Sequence, residues 1–379
     1  MKIGVIGAGR LGLCFALLCE QAGYDVIASD VRDNYINSLK KKVVESSEPD
    51  VLDLLVTSNN IEFTTSNQAV IEASDVIYTL VATPSTPQGD YDVSSVWNVV
   101  EDLKKVPNVS GKSFVVGCTT NPGDCEEFKY ALTEVGVDVF YNPEFIAQGS
   151  IIKDLRNADM VLIGGDRNET YDQLCELYNR IQVTLPKISI MSLTAAELVK
   201  LAVNCYLTTK ISYANMVGEV MTLAGLGEEI NNVLDAIGAD SRVGKKYLKY
   251  GYGFGGPCLP RDNRAFAAYA KKVGLEYNLG ETTDNFNDEH SVFLTNYFCH
   301  DNKESLPFYF DYVSYKKGTD ILTESQQLRL CQDLLDLGYT VYINDLSSVL
   351  HQLQYDFSIK YKDRAKFEEP TEPVYRINL

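Results

Sequence analysis

Lys2-Ile3-Gly4-Val5-Ile6-Gly7-Ala8-Gly9-Arg10-Leu11-Gly12 opens the chain, and the stretch from there to Asp30 decides its fold. Lys2 to Ile6 is a short apolar run that reads as a strand. Gly7, Gly9 and Gly12 follow, then an apolar helical stretch from Leu13 to Gln21. Gly23 ends that helix, and Tyr24 to Ser29 reads as a second strand finishing at Asp30. Strand, G-x-G-x-x-G, helix, strand and acidic residue together make the fingerprint of a dinucleotide-binding βαβ unit. Gly7 allows the tight turn, Gly9 lets the backbone approach a pyrophosphate, and Gly12 lets helix and sheet pack closely. The unpaired N–H groups at the helix start then face the phosphates. Asp30 falls where a carboxylate accepts both ribose hydroxyls and repels a 2′-phosphate, so the expected cofactor is NAD and not NADP.

Strand and helix alternate onward. Val76 to Ala82 reads as a strand ending at Thr83-Pro84, and Ser113 to Cys118 as one ending at Thr119-Thr120-Asn121-Pro122. Val137 to Tyr141 ends at Asn142-Pro143-Glu144, and Met160 to Ile163 at Gly164-Gly165. Polar clusters at successive strand ends suggest a site rim, because ligands of open α/β sheets sit at the carboxyl ends of the strands. Thr194 and Glu197 are spaced as a capping box. The helix they would open has an apolar stripe at Leu198, Leu201, Ala202 and Cys205 and runs to Gly225, a length suited to a spine and a dimer contact. Helices follow to about Gly274.

The C-terminal third echoes the first 30 residues. Gly23-Tyr24-x-Val26 with Asp30 recurs as Gly338-Tyr339-x-Val341 with Asp345, and Val313 to Tyr315 is the candidate for the preceding strand. This predicts a second, smaller Rossmann-like unit without the glycine fingerprint. From about Tyr361 the chain is polar and reads as a tail. The domain reading is 1–190 for NAD, 191–280 for the central helix and catalytic loop, and 281–379 for a shortened C-terminal domain with its tail.

Composition narrows the function classes. Lys and Arg number 34 against 52 Asp and Glu in 379 residues, a net charge of −18. So acidic a chain is a poor partner for nucleic acid, whose backbone demands a basic surface. No apolar run approaches the roughly 18 residues of a membrane span, and the first strand begins at once, with no signal peptide expected ahead of it. Nine Cys and three His lack metal-ligand spacing, which argues against zinc and for a reducing compartment. The expectation is a soluble, cytoplasmic protein without metal.

Three further features carry chemistry. Gly251-Tyr252-Gly253-Phe254-Gly255-Gly256-Pro257-Cys258-Leu259-Pro260-Arg261-Asp262 is glycine-rich enough for a mobile loop that closes on a ligand. It delivers Cys258 with a carboxylate four residues on. Lys200 and Asn204 lie at i and i+4 and share a helix face. A helical Lys is usually a solvated charge, but beside a thiol and a nicotinamide the pair would supply a proton acceptor and an oxyanion donor.

These residues resemble the UDP-glucose/GDP-mannose dehydrogenase family from Met1 to about Phe266. The resemblance rests on Gly7–Gly12, on Asn142-Pro143-Glu144-Phe145, on Ala196-Glu197-Leu198-x-Lys200-x-x-x-Asn204 and on Gly255–Asp262, with a weaker echo at Lys316-Lys317-Gly318-Thr319-Asp320. It implies an N-terminal NAD domain, a central helix forming a homodimer, and a C-terminal domain for the nucleotide of a sugar. The implied reaction is a four-electron oxidation at C6 with two NAD+, UDP-glucose to UDP-glucuronate. Cys258 would form a thiohemiacetal and then a thioester. Asp262 and Lys200 would handle protons and charge, Asn204 would hold the oxygen, and Glu144 with Thr120 would order water. Gly7, Gly9, Arg10, Leu11, Gly12, Asp30, Arg32, Thr83 and Thr120 would hold the cofactor. Glu144, Phe145, Lys200, Asn204, Tyr250, Phe254, Gly255 and Lys316 would hold substrate, with Arg242 presented across the dimer.

The chain departs from the family pattern in places. Gln148 stands where a second Glu is common, Arg261 replaces a lysine, and Ile321 and Thr323 replace an expected Asp and Arg. These put the sugar nucleotide in question more than the chemistry. The same chemistry on a UDP-N-acetylhexosamine or GDP-mannose, a single-hydride β-hydroxyacid dehydrogenase without need of Cys258, and a sugar-nucleotide sensor without turnover are the competing readings.

Overall fold

The computed structural model describes residues 1–379. They divide into two units, Met1–Lys200 and Leu201–Leu379. The first runs β1 (Lys2–Ile6), α1 (Arg10–Gln21), β2 (Asp25–Ser29), α2 (Asp33–Lys40), α3 (Val51–Thr57), β3 (Ile61–Thr64), α4 (Asn67–Ala73) and β4 (Val76–Thr79). It continues with α5 (Ser94–Lys105), β5 (Ser113–Val116), α6 (Asp124–Leu132), β6 (Asp138–Tyr141), α7 (Ile151–Arg156), β7 (Met160–Gly164), α8 (Glu169–Ile181) and β8 (Lys187–Met191).

Its eight strands stand in the order β3-β2-β1-β4-β5-β6-β7-β8. All neighbours are parallel except β6 and β7, which meet antiparallel at Tyr141 and Gly164. Side chains alternate across the sheet, so each face buries its own core. Leu13, Phe15 and Leu17 of α1 pack with Leu174 and Tyr178 of α8 over Ile3 and Val5. Val96, Val99 and Leu103 of α5 pack with Phe128 and Leu132 of α6 in the cluster that takes Ile6. The direction of winding reverses between β1 and β4, which opens the crevice of a doubly wound sheet at their carboxyl ends. This is the Rossmann arrangement expected from the fingerprint.

Helix α9 (Leu193–Leu223) runs 31 residues and carries the chain from the first unit into the second. It starts one residue ahead of Thr194, with the Ala196 N–H on the Ser192 carbonyl at 3.0 Å, so the expected capping box does not form. Glu197 is instead wholly buried and accepts from the Thr120 hydroxyl at 2.8 Å and the backbone N–H groups of Gly123 and Cys125 at 2.7 and 2.9 Å. It caps the start of α6 from a distant helix, which no local spacing could show. The apolar stripe is also revised. Leu201 and Cys205 are buried, Leu198 and Ala202 only half so, and the helix also buries a polar series: Glu197, Lys200, Asn204, Thr208, Ser212 and Asn215.

The second unit continues with α10 (Ile230–Ala239), α11 (Leu259–Lys272), α12 (Leu279–Asp301), β9 (Phe308–Phe310), α13 (Gln326–Asp336), β10 (Val341–Ile343), α14 (Ser347–Tyr361), β11 (Ala365–Lys366) and β12 (Tyr375–Arg376). Its four parallel strands stand in the order β11-β10-β9-β12. β9, α13 and β10 form the second Rossmann-like unit that the echo predicts. The strand before the helix is Phe308–Phe310, however, and not Val313–Tyr315. Val313 is buried in the apolar cluster, and the Asp345 carboxylate takes the N–H groups of Val313 and Ser314 at 2.9 and 2.8 Å, which holds that segment as a loop. Asp345 thus closes the turn that in the first unit stays open for phosphate. The expected tail is also corrected. Residues after Tyr361 supply both edge strands, Tyr375 packs edge-to-face on Phe298 and Phe308, and Ile377 is buried. Polar composition hid two strands of two residues each, too short to show a period.

No helix is long and apolar enough to cross a membrane.

Candidate active site

Gly7 sits at φ +97°, and a Cβ there would lie 2.7 Å from the Leu80 carbonyl oxygen. A Cβ on Gly12 would stand 2.0 Å from the Gly7 carbonyl oxygen. Over Gly9 the nearest atom is 3.9 Å away, and no side chain caps the start of α1. Open space above Gly9 and uncapped N–H groups behind it make a cradle that fits a pyrophosphate. Asp30 ends β2 as required, and Arg32 grips it with Nε at 2.8 Å and Nη2 at 2.9 Å while stacking 4.2 Å over the Tyr35 ring. Burial opposes the charge on Asp30, but the Arg32 bonds outweigh it and hold the carboxyl below its ordinary range.

Arg10 donates to the Gln148 side chain at 3.1 Å and lies 3.9 Å from buried Glu48. Glu48 in turn accepts from the N–H groups of Gly149 and Ile151. Gln148 therefore joins the loop after β6 to the phosphate loop. Leu11 is half-buried in α1, and Thr83 is buried beyond β4. Thr120 gives its hydroxyl hydrogen to Glu197, away from Glu144.

Glu144 and Lys200 do come together. The Lys200 ammonium, buried and not solvated, donates to the Glu144 carbonyl at 3.0 Å and lies 4.9 Å over the Phe145 ring. The Glu144 carboxyl meets the Tyr178 hydroxyl at 2.6 Å. Burial pushes Glu144 up from 4.5 to about 7, against the Tyr178 bond and the Lys200 charge, which both lower it. An acid raised in the folded state loses stability as pH climbs from the unfolded to the folded value. Glu144→Gln is accordingly expected to stabilise the chain at pH 8, by on the order of 2 kcal/mol after screening of a half-buried group, and to gain little near pH 4.5. Thermal melts at the two pH values check this. Tyr178 was not marked in the sequence; in the structure it lies with Tyr171, Leu174 and Ile181 on the buried face of α8.

The glycine loop of the second unit is pinned, contrary to the mobile loop expected. Asn287 takes the Phe254 N–H at 2.8 Å and donates to its carbonyl at 3.0 Å. Asn215 receives the Gly251 N–H, and buried His290 bridges the Gly251 carbonyl at 2.8 Å and Glu219 at 2.6 Å. A Cβ on Gly253 would strike Asn287 at 2.2 Å, and one on Gly255 would strike the Glu324 carbonyl oxygen at 2.3 Å. The glycines serve close packing. Asn215, Asn287 and His290 are buried polar residues on helices, and no local pattern in the sequence marks them.

The loop ends at Cys258, which is exposed at the N-cap of α11. Asp262, one turn on and 2% exposed, accepts from the Asn204 amide. Arg261 lies in the same first turn. Three residues beyond, Arg264 grips Glu324 with both Nη groups and Asp284 through Nε at 3.1 Å. The other named residues are more scattered. Tyr250 lays its ring on Gly218 of α9, Phe254 is buried, and Gly255 is half-buried in the loop. Lys316 is exposed at a turn closed by Thr319, and Arg242 is exposed and paired with Asp240.

Comparison with known proteins gives the family. A family model described as the NAD binding domain of the UDP-glucose/GDP-mannose dehydrogenase family matches residues 1–182, and one described as the family's central domain matches residues 194–289. UDP-glucose 6-dehydrogenase TuaD of Bacillus subtilis is 31% identical over 302 residues, 77% of this chain and 64% of that protein. UDP-glucose 6-dehydrogenase of Rhizobium meliloti is 32% identical over 300 residues, 76% and 68% of the two chains. Among solved structures, a UDP-glucose dehydrogenase from Pyrobaculum islandicum superposes with a TM-score of 0.85 at 26% identity, covering 97% of this chain and 86% of the other. A UDP-D-ManNAc dehydrogenase from Pyrococcus horikoshii, at 20% identity, shares the fold with a TM-score of 0.80 over 99% and 98% of the two chains. With its open glycine cradle, its acid at the end of β2 and both family domains matched, the chain belongs to the UDP-glucose/GDP-mannose dehydrogenase family, the NAD-dependent oxidoreductases that act on nucleotide sugars.

Proposed function

We propose that this chain oxidises UDP-glucose to UDP-glucuronate through a covalent bond to Cys258. The observation that carries the reading is an exposed thiol at the start of α11 with a buried, Asn204-bound carboxylate one turn behind it. Held at the Gly7, Gly9 and Gly12 cradle with Asp30 toward its ribose, NAD+ would accept the electrons of both oxidations. After the first, Cys258 Sγ adds to the C6 aldehyde, and the oxygen takes up a proton to give the thiohemiacetal. Asn204 and Lys200 lie one helical turn apart on α9 and would stabilise the oxygen's negative charge. The second oxidation leaves a thioester. Glu144, placed near neutrality, would take a proton from the attacking water; the C–S bond breaks, and the acid and the thiol are released.

On this reading residues 1–190 bind the cofactor, 191–280 supply the dimer contact and the catalytic loop, and 281–379 recognise the nucleotide, with Lys316 among its contacts. Dimerisation is supported by an exposed apolar row on α9 (Tyr206, Tyr213, Met216, Val220 and Leu223) at spacings of three, four and seven. Arg242 would act across that dimer. Ile321 and Thr323 cannot replace a charged contact, and losing one costs roughly 1.5–3 kcal/mol. That supports a raised KM for UDP-glucose, with the same chemistry on an N-acetylated sugar as the second reading, in line with the similar fold of the UDP-D-ManNAc dehydrogenase.

The test is NADH formation with UDP-glucose, UDP-N-acetylhexosamines and GDP-mannose. Two NADH per UDP-glucose and no free aldehyde is the expected result. Turnover only with an N-acetylated or guanosine-linked sugar overturns the substrate, and one NADH with free aldehyde overturns the mechanism.

A further inference from the structure

We propose that Tyr178 is a positioning residue for Glu144, turning its single hydroxyl hydrogen between Glu144 and Asn142 as Glu144 loses and gains a proton. The proposal rests on the reading of Glu144 as the base that receives a proton from water.

Asn142 is held in one orientation. Its Nδ2 donates to the Leu162 carbonyl at 2.9 Å, so Oδ1 faces the other way as an acceptor. Two phenols meet there, Tyr78 at 3.1 Å and Tyr178 at 2.7 Å. Tyr178 Oη also stands 2.6 Å from Glu144 Oε1. A phenol has one hydrogen to donate and here has two short oxygen neighbours. When Glu144 is ionised the hydrogen belongs on the carboxylate, since a charge-assisted bond is roughly twice as strong as a neutral one. Asn142 Oδ1 then keeps Tyr78 as its donor. When Glu144 is protonated, its own O–H donates to Tyr178 Oη, and Tyr178 turns to Asn142. Every donor is used in both states, and only hydroxyl hydrogens move.

The surroundings keep this relay neutral apart from Glu144. Tyr78, Asn142 and Tyr178 are each at most 2% exposed, and burial raises both phenols well above their ordinary range. The titratable groups facing Glu144 are Tyr178 from α8, Tyr78 from β4, Lys200 from α9 and Cys19 from α1, whose thiol burial likewise raises. Lys200 is the only cation among them. The proton that water gives to Glu144 thus meets a prepared acceptor geometry, with no side chain needing to shift.

The pH dependence of kcat in the full chain, for the wild type, Tyr178→Phe, Tyr78→Phe and Glu144→Gln, tests this. Tyr178→Phe removes the stronger bond from the ionised form, so the acidic limb should move up by about half to one pH unit, with KM for NAD+ unchanged. Tyr78→Phe, which does not touch Glu144, should move it in the same direction by leaving Asn142 without its alternate donor. Glu144→Gln should abolish the limb. An unmoved limb in Tyr178→Phe beside a lost limb in Glu144→Gln overturns the role of Tyr178 and leaves that of Glu144 standing. A limb that survives Glu144→Gln overturns the reading of Glu144 itself. Should the phenylalanine variants fail to fold, the near-ultraviolet difference spectrum decides. The wild type should show a tyrosine perturbation across the Glu144 titration that Glu144→Gln lacks, and its absence from the wild type overturns the proposal.

Discussion

Replacing Cys258 by serine is expected to cut formation of the sugar acid by roughly a thousandfold or more, the scale for removing a nucleophile from an intact site. A serine hydroxyl at that position is a far weaker nucleophile than a thiol, and its ester would be a poorer substrate for hydrolysis. The first oxidation does not need the sulfur, so slow release of aldehyde with one NADH should remain. The other cysteines make the control. Burial pushes the thiols of Cys14 and Cys118 up to about 12 and that of Cys205 up to about 11, which keeps them unreactive. Cys175 and Cys299 are half-buried, and their serine variants should turn over normally. Buried Cys14, Cys19 and Cys331 to Ser should lower Tm and still support acid formation when folded. Mass spectrometry of the quenched enzyme should find the sugar adduct on Cys258; an adduct elsewhere, or full acid formation by Cys258→Ser, removes Cys258 from the mechanism.

Asp30→Ser is expected to have the second-largest effect, on cofactor choice. In the wild type both Asp30 oxygens are held by Arg32, and on the proposed role a ribose hydroxyl pair would compete for the same carboxylate. NAD+ would offer two donors to it, whereas a 2′-phosphate would meet like charge. Serine removes that charge and leaves the Arg32 guanidinium, stacked on Tyr35, without its partner and able to take phosphate. Loss of one charge-assisted contact is worth roughly ten- to a hundredfold in affinity. KM for NAD+ should rise by that factor while KM for NADP+ falls, so the ratio of kcat/KM values should shift by about two orders of magnitude or more. Equal use of both cofactors by the wild type would refute the assigned role of Asp30.

Much of the fold was legible because its signals are local. Gly7, Gly9, Gly12 and Asp30 stand within one βαβ unit, and backbone sterics alone demand glycine at Gly7 and Gly12. The apolar strands from Val76 to Ile163 were legible for the same reason, although Leu80 to Ala82 leave the sheet as the rim begins. The Thr194–Glu197 box, the Val313 strand and the tail after Tyr361 were misread where short-range pattern competed with partners distant in the chain.

For the site, the sequence by itself determined which chemical groups are available: the glycine cradle and its acid, Lys200 and Asn204 one turn apart, and Cys258 ahead of Asp262. Helix period and turn sterics are properties of neighbouring residues, so spacing carries them. Only the tertiary structure decided the state of those groups. It buried Lys200 against Phe145, set Glu144 near neutrality beside Tyr178, turned Thr120 to Glu197 and pinned the glycine loop with Asn215, Asn287 and His290. Desolvation and hydrogen-bond partnership depend on atoms brought together from tens of residues apart, and no local pattern records them.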